Sequence, residues 1–343
     1  MTAANLSYAQ HYEDIHLLRC FDGQPTGFYI DIGAGHPVYD NVTFAFYLRG
    51  WDGITVEPNP WLARLSDAVR PRDRRIRSLV GASSGEATYY LVEDYHGLST
   101  TVETHARAAQ STFGKRSQAM TLPVTTLRAQ CEQYAPGEID FLKIDVEGAE
   151  REVLAGGDWR RFRPKVVVAE ALAPVTMAPA WDIWEPLLLG NFYRFALFDG
   201  LNRYYVAEEH DALAERLAAA PTSFDGVIPF RDFKPALEDV THPDHALARL
   251  FAGADMVRLP LMPVDMMVER LTAALDSTSP GRPAGPPEIA AAHQRLFAIP
   301  AAPGWAEDLG LAPNATVRDI YRSAAASARF RAACGRISAS YGW

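Results

Sequence analysis

The sequence has only three cysteines, Cys20, Cys131 and Cys334, far apart and with no CxxC pair. They cannot all pair, which excludes a disulfide framework and fits a reducing cytoplasm. A basic excess is also missing: 33 lysines and arginines stand against 42 acids, a net charge of −9. A general nucleic-acid binder needs a basic footprint, so nucleic acid is not an expected partner. No run reaches the roughly 18 apolar residues of a membrane span. Residues 1–14 lack the basic and apolar regions of a secretory signal, so a cytoplasmic location is expected. No internal repeat is visible, which sets solenoids and propellers aside.

What is present is ordinary for a globular chain, with 48% hydrophobic and 22% charged residues. The length of 343 residues accommodates one domain plus a second unit. Charge is uneven: from Thr241 onward arginines and acids nearly balance, so the acidic excess lies before it.

The first two hundred residues alternate between strand and helix patterns. Strands are expected over 28–32, 53–57, 76–80, 139–146 and 165–170, with an extra antiparallel strand over 86–92. A closing antiparallel pair is expected over 192–198 and 203–206. Helices are expected over 41–49, 61–69, 127–134, 147–154 and 211–220. This alternation predicts an α/β fold with a mostly parallel sheet. Beyond residue 241 only helices are expected, over 245–251, 264–275, 287–297 and 315–337.

Asp31-Ile32-Gly33-Ala34-Gly35 ends the first strand. Glycines there let backbone approach a ligand closely, beside a helix N-terminus. The dinucleotide fingerprint GxGxxG is incomplete, because Val38 holds the place of its third glycine. That speaks against a dinucleotide-dependent oxidoreductase. An acid before the loop suits a ligand carrying an ammonium group, which favours S-adenosylmethionine. Glu57, followed by Pro58, ends the second strand, where a carboxylate accepts ribose hydroxyls. Val80-Gly81-Ala82-Ser83 ends the third, and its small residues leave room for an adenine ring.

Asp145 and Glu147 close the fourth strand, and Glu170 ends the fifth. Carboxylates there line the crevice of an open α/β sheet. They orient a hydroxyl, act as general base, or chelate Mg²⁺ or Mn²⁺ through Asp145 and Glu170. No third oxygen ligand is identifiable. Glu147 also reads as an acid in a helix's first turn. Lys143 reads as a structural lysine. His36, directly after the glycine loop, is a candidate base for a sugar hydroxyl at neutral pH. His96-Gly97-Leu98-Ser99-Thr100 is a candidate substrate rim.

Five blocks occur in order: Gln10 with Glu13-Asp14; Tyr29-Ile30-Asp31-Ile32-Gly33-Ala34 with Pro37, Val42 and Thr43; Gly50-Trp51-Asp52-Gly53-Ile54 with Glu57-Pro58; Ile139 through Glu150; and Pro164 through Glu170. Together they resemble the FkbM-type methyltransferase family, over residues 7–207. The resemblance implies a class I (Rossmann-like) seven-stranded sheet with an antiparallel last strand. It also implies S-adenosylmethionine as cofactor and methyl transfer, usually to oxygen, on hydroxyls of sugars, lipids or polyketides. By the resemblance Asp31, Gly33 and Glu57 bind the cofactor and Asp145 lies near the methyl, while His36 stands where the family more often has other residues and gains no base role from it. With the residues read around them, the expected cofactor set is Gln10, Asp31, Gly33, Ala34, Gly35, Glu57, Pro58, Ala82, Ser83 and Asp145, and the expected catalytic set is Asp145, Glu147, Glu170 and His36.

The expected organisation is an N-terminal lid or helix over 1–27, a methyltransferase domain over 28–230, and a helical extension over 231–343 with a proline-rich linker at 277–287. The acceptor is expected to be a small molecule or a glycan hydroxyl. The C-terminal helices are the expected surface for a homodimer.

Overall fold

A computed structural model describes residues 6–92, 96–217, 226–273, 275, 279–298 and 305–342. The expected features at residues 218–220 and 277–278 lie outside them. The chain divides into two compact units, one of residues 4–67 and 72–229, the other of 1–3, 68–71 and 230–343.

The first unit is built on a seven-stranded sheet. Its strands are β2 (Phe28–Ile32), β3 (Asp52–Val56), β4 (Arg74–Ile76), β8 (Phe141–Ile144), β9 (Val166–Glu170), β10 (Tyr193–Phe198) and β11 (Asn202–Ala207), in the order β10-β11-β9-β8-β2-β3-β4. All neighbours pair in parallel except β11, which is antiparallel to both β9 and β10. One strand, the last of this sheet along the chain, therefore runs against the other six. The chain leaves β2 toward β3 and β4, then returns to β8 on its other side. That reversal opens a crevice beyond the ends of β2 and β8.

Side chains alternate along each strand. Ile30, Ile32, Ile54, Leu142, Ile144, Val167 and Ala169 fill one face, with α5 (Leu127–Tyr134), α6 (Glu150–Ala155) and α7 (Glu185–Leu189) contributing to its cover. Tyr29, Phe141, Val166, Val168, Tyr204 and Val206 fill the other, with α1 (Glu13–Cys20), α2 (Phe44–Leu48) and α8 (Ala212–Leu217). Because both faces are buried at β2, β3, β8 and β9, these central strands read as largely apolar runs. Each fully buried Val, Ile or Phe contributes about 1.5–3 kcal/mol.

Several expectations need correction. The strand expected over 76–80 is two strands in different sheets, β4 and β5 (Leu79–Val80), separated at Arg77-Ser78. With β6 (Gly85–Val92) and β7 (Ser117–Thr125), β5 forms a second, three-stranded sheet in the order β5-β7-β6. Neither β7 nor α4 (Glu103–Phe113) is anticipated by the sequence pattern. The helix expected from Glu147 starts only at Glu150, because Glu147 (φ 54°) and Gly148 (φ 101°) are left-handed. α3 (Pro60–Val69) runs as expected, while β1 (Leu6–Ser7) pairs with β12 (Ile228–Pro229) in a separate two-stranded ladder.

The second unit is helical, with α9 (His245–Leu250), α10 (Val264–Ala273), α11 (Pro286–Phe297), α12 (Trp305–Asp308), α13 (Val317–Ala326) and α14 (Ala328–Ala339). The single helix expected over 315–337 is broken at Ser327, whose extended backbone and Oγ cap begin α14. Phe251, Met267, Leu271, Leu296, Trp305, Ile320, Phe330 and Ile337 share one core. No helix among the described residues is long and apolar enough to cross a membrane.

Arg336 of α14 makes a bidentate pair with Asp244, its Nε and Nη2 each 2.6 Å from a carboxylate oxygen. Both side chains are largely buried. Asp244→Ala removes the carboxylate from a largely buried guanidinium and is expected to cost about 3–5 kcal/mol, with an apolar pair at both positions restoring most of it. Urea unfolding of single and double variants measures this. A single-variant loss under about 1 kcal/mol, the size of a surface pair, would show that solvent screens the contact.

Candidate functional site at the C-terminal edge of the sheet

In the parallel register, Ile32 lies beside Val56 and Ile144, and Ile144 beside Ala169. The residues just past them, Gly33, Glu57, Asp145 and Glu170, therefore emerge along one edge. Gly33 (φ 76°) and Gly35 (φ 59°) turn the chain in the left-handed region. The backbone N–H groups of Gly33 and Ala34 both donate to the Val56 carbonyl at 3.0 Å. A Cβ on Gly33 would run into the Asp145 carbonyl.

Glu57 is buried beside this loop. Its Oε2 accepts from Gly35 N at 2.8 Å and its Oε1 from Asn59 N at 2.7 Å. Each oxygen keeps a second lone pair for a ligand hydroxyl. Burial pushes its carboxyl up to about 7, against the lowering effect of these two bonds. Pro58 is buried with it.

Asp31 sits beneath the loop at 1% exposure. Thr43 Oγ1 donates to its Oδ2 at 2.8 Å, and Lys143 Nζ lies 3.8 Å from its Oδ1. These contacts hold the loop from below. Lys143 also reaches Asp145 Oδ2 at 2.9 Å and the Gly33 carbonyl at 3.3 Å. The lysine expected to be merely structural thus ties three site elements together. Burial opposes its charge, but Asp145 and Asp31 outweigh that and raise its proton affinity.

Asp145, Glu147 and Glu170 each bring one carboxylate oxygen within 4.8 Å of the others. Burial, then the neighbouring acids, raises both Glu147 and Glu170 well above the usual carboxylate range. The Glu147 backbone is clamped from the second sheet's region. Thr100 Oγ1 donates to its carbonyl at 2.8 Å, and His105 Nδ1 lies 3.1 Å from the same oxygen. Glu150 Oε1 accepts from Gly148 N and Val146 N, completing the turn.

His36 is 1% exposed, and its Nδ1 accepts from the N–H groups of Val38 and Tyr39. Its Nδ1 is thereby committed to its own loop and is not the nitrogen that takes a substrate proton. Ala34 accepts from Asn41 Nδ2 at 2.9 Å. Gln10, Ala82 and Ser83 are exposed, the last two in the turn before β6, and the structure does not draw them into the carboxylate group.

Other residues here are given no site role by the sequence. Glu13 of α1 is buried, with Asn202 Nδ2 donating to its Oε1 at 2.8 Å and His11 N to its Oε2 at 2.6 Å. Burial and then Asp199 push its carboxyl up to about 8. Asn202 is the register partner of Glu170, so α1 is stitched to the site's edge. Tyr89 of β6 is buried, and after burial itself it is Glu57 that most raises its phenol, with Glu147 adding to it. The faint signal for Lys143 is a lone charge inside the apolar run Phe141-Leu142-Lys143-Ile144.

Residues 31–195 match the methyltransferase FkbM domain. The family read from the sequence blocks is thus the family whose pattern matches this segment. An FkbM methyltransferase domain implies S-adenosylmethionine as the methyl donor. The matched span holds Gly33, Glu57, Asp145, Glu147 and Glu170 but neither Glu13 nor Asn202. No curated protein matches the chain. Among solved structures, a TehB-like SAM-dependent methyltransferase from Corynebacterium glutamicum is similar at TM-score 0.32 and 10% identity, over 57% of this chain and 87% of that one.

Proposed function

We propose that the FkbM domain transfers a methyl group from S-adenosylmethionine to a hydroxyl oxygen of a sugar, polysaccharide or glycosylated metabolite. The observation that carries this reading is the pairing of two sites on one sheet edge. The glycine loop with Glu57 suits the donor's nucleoside, and the carboxylates Asp145, Glu147 and Glu170 stand beside it. In the reaction, the hydroxyl oxygen forms a bond to the methyl carbon as the carbon–sulfur bond breaks. The bonding pair stays on sulfur, and the hydroxyl proton passes to a carboxylate. Glu147 and Glu170, whose proton affinity is raised by burial and neighbouring acids, are the carboxylates best suited to take that proton. Most of the rate comes from holding donor and acceptor in line. Asp31 and Lys143 support the loop; Glu57 touches the ribose. Lipid or polyketide hydroxyls are the alternative acceptors, and a Mg²⁺- or Mn²⁺-dependent form of the same reaction is the second reading.

The acceptor is tested by mass spectrometry of glycans and small metabolites from cells with and without the gene. The expected result is one species lighter by a methylene in the deletion. An unchanged glycan and metabolite profile would count against the reading.

Donor binding is expected to depend on pH through Glu57. Ribose hydroxyls donate to the ionised carboxylate, so binding favours the form that dominates above about 7. Calorimetry should show affinity for S-adenosylmethionine rising about ten-fold from pH 6 to pH 8, and a flat, weaker profile for Glu57→Gln. For the free protein the sign is opposite. A carboxyl raised by burial adds stability at low pH, and that contribution is lost as pH rises through about 7. A wild-type affinity independent of pH would place the ribose elsewhere.

A further inference from the structure

We propose that Asp145, Glu147 and Glu170 form a site for a hard divalent cation, with Glu147 as the third oxygen ligand that the sequence does not identify. The first support is geometric: one oxygen from each residue lies within 4.8 Å of the others. All three donors are carboxylates, the set preferred by Mg²⁺ and Mn²⁺ over softer metals.

A second observation is independent of that spacing. Glu170 Oε2 is buried and has no hydrogen-bond partner. A buried carboxylate oxygen is costly unless something compensates it. Lys143 acts on Glu170 only through its charge, since its ammonium donates to Asp145 Oδ2 and the Gly33 carbonyl instead. One lysine stands against three carboxylates at this spot. A divalent cation would bring the missing charge and give Glu170 Oε2 its partner.

The third support is that Glu147 is held in place at a cost. Its left-handed backbone is unfavourable for a residue with a side chain. Thr100 and His105 converge on its carbonyl. A Cβ at Gly148 would meet the His105 ring, so only glycine fits the next position. Thr100 and His105 are therefore positioning residues, fixing a ligand as outer-sphere groups fix metal ligands elsewhere.

Three protein oxygens leave about half of an octahedral shell open. The open positions suit an acceptor with two neighbouring oxygens, as adjacent sugar hydroxyls present. A bound cation would make one of them easier to deprotonate. This use of the cation rests on the methyltransferase reading; the cation site itself does not.

The test is Mn²⁺ binding to the full chain, followed by electron paramagnetic resonance and calorimetry, with S-adenosylmethionine titrated separately into the same preparations. The expected result is one saturable Mn²⁺ site, weakened by more than about ten-fold in Glu147→Gln and in Glu170→Gln. Thr100→Val, which removes no carboxylate, should weaken it about ten-fold while its melting profile stays cooperative. The proposal is overturned if wild-type protein shows no saturable site with or without S-adenosylmethionine. It is equally overturned if both glutamine variants bind Mn²⁺ as wild type does, or if Mn²⁺ and S-adenosylmethionine exclude one another. In that last case the acids serve the donor's own charge. Mn²⁺ binding without S-adenosylmethionine binding would support the cation site and count against the methyltransferase reading.

Discussion

Gly33→Ala is expected to abolish S-adenosylmethionine binding and to lower the unfolding midpoint. Gly33 has φ 76°, a region that costs an L-residue roughly 1 kcal/mol or more. The larger cost is steric. The new Cβ would overlap the Asp145 carbonyl, which is backbone and cannot swing aside. Relief requires the loop to part from β8. That movement strains the bonds from Gly33 N and Ala34 N to Val56 and pulls Gly35 N from Glu57. The donor's loop and its ribose acid are then displaced together. A stability loss of about 2–4 kcal/mol is expected from strain combined with broken buried bonds. Gly50→Ala is the control: its φ is 94°, but an added Cβ meets nothing within 4 Å. It should cost only the local backbone strain and leave the titration near wild type. Calorimetry and thermal unfolding of both variants decide the matter. Gly33→Ala binding the donor within about three-fold of wild type, well under the 1.4 kcal/mol of a ten-fold change, would show that the loop is not the donor site.

The contrast between these two glycines shows what the sequence makes legible. Both close plausible local motifs, and only the fold reveals which one faces a neighbour. The central strands β2, β3, β8 and β9 were readable because burial on both faces leaves largely apolar runs, each ended by a glycine or an acid. For the same reason Glu57, Asp145 and Glu170 stood out as strand-end carboxylates. The second sheet was not readable. Ser117–Thr125 is largely exposed and contains Pro123, so its strand character comes from pairing with Gly85–Val92. Glu147 looked like a helix's first-turn acid, yet Thr100 and His105 hold it out of the helix. Those contacts span 47 and 42 residues. The Glu13–Asn202 bond spans 189. Local pattern carries no trace of such pairings, which arise only when strand order brings distant segments to one edge.

Lys143→Met should be among the most damaging single substitutions that remove no acid from the site. Lys143 is 6% exposed and Asp31 1%. The lysine's proton affinity is raised by Asp145 and Asp31 in spite of burial, so it stays cationic across the working pH range. Methionine fills a similar volume, so the change isolates charge from packing. Its loss leaves Asp31 with Thr43 as its remaining strong contact and leaves Asp145 Oδ2 without its ammonium. Breaking one side of a buried pair costs about 3–5 kcal/mol, because the remaining charge is uncompensated. The sign of the pH dependence follows. Without the cation Glu57, Glu147 and Glu170, raised by burial and held down in part by Lys143, bind protons still more readily in the folded state than in the unfolded chain. The variant's deficit should therefore be small near pH 5 and grow toward pH 8. Lys143→Arg keeps the charge but not the compact head that reaches three oxygens at once, so only partial recovery is expected. Urea unfolding at both pH values reads the stability. A Lys143→Met protein as stable as wild type at pH 8 would mean that another group balances the acids, and the loop's support from β8 would have to be sought elsewhere.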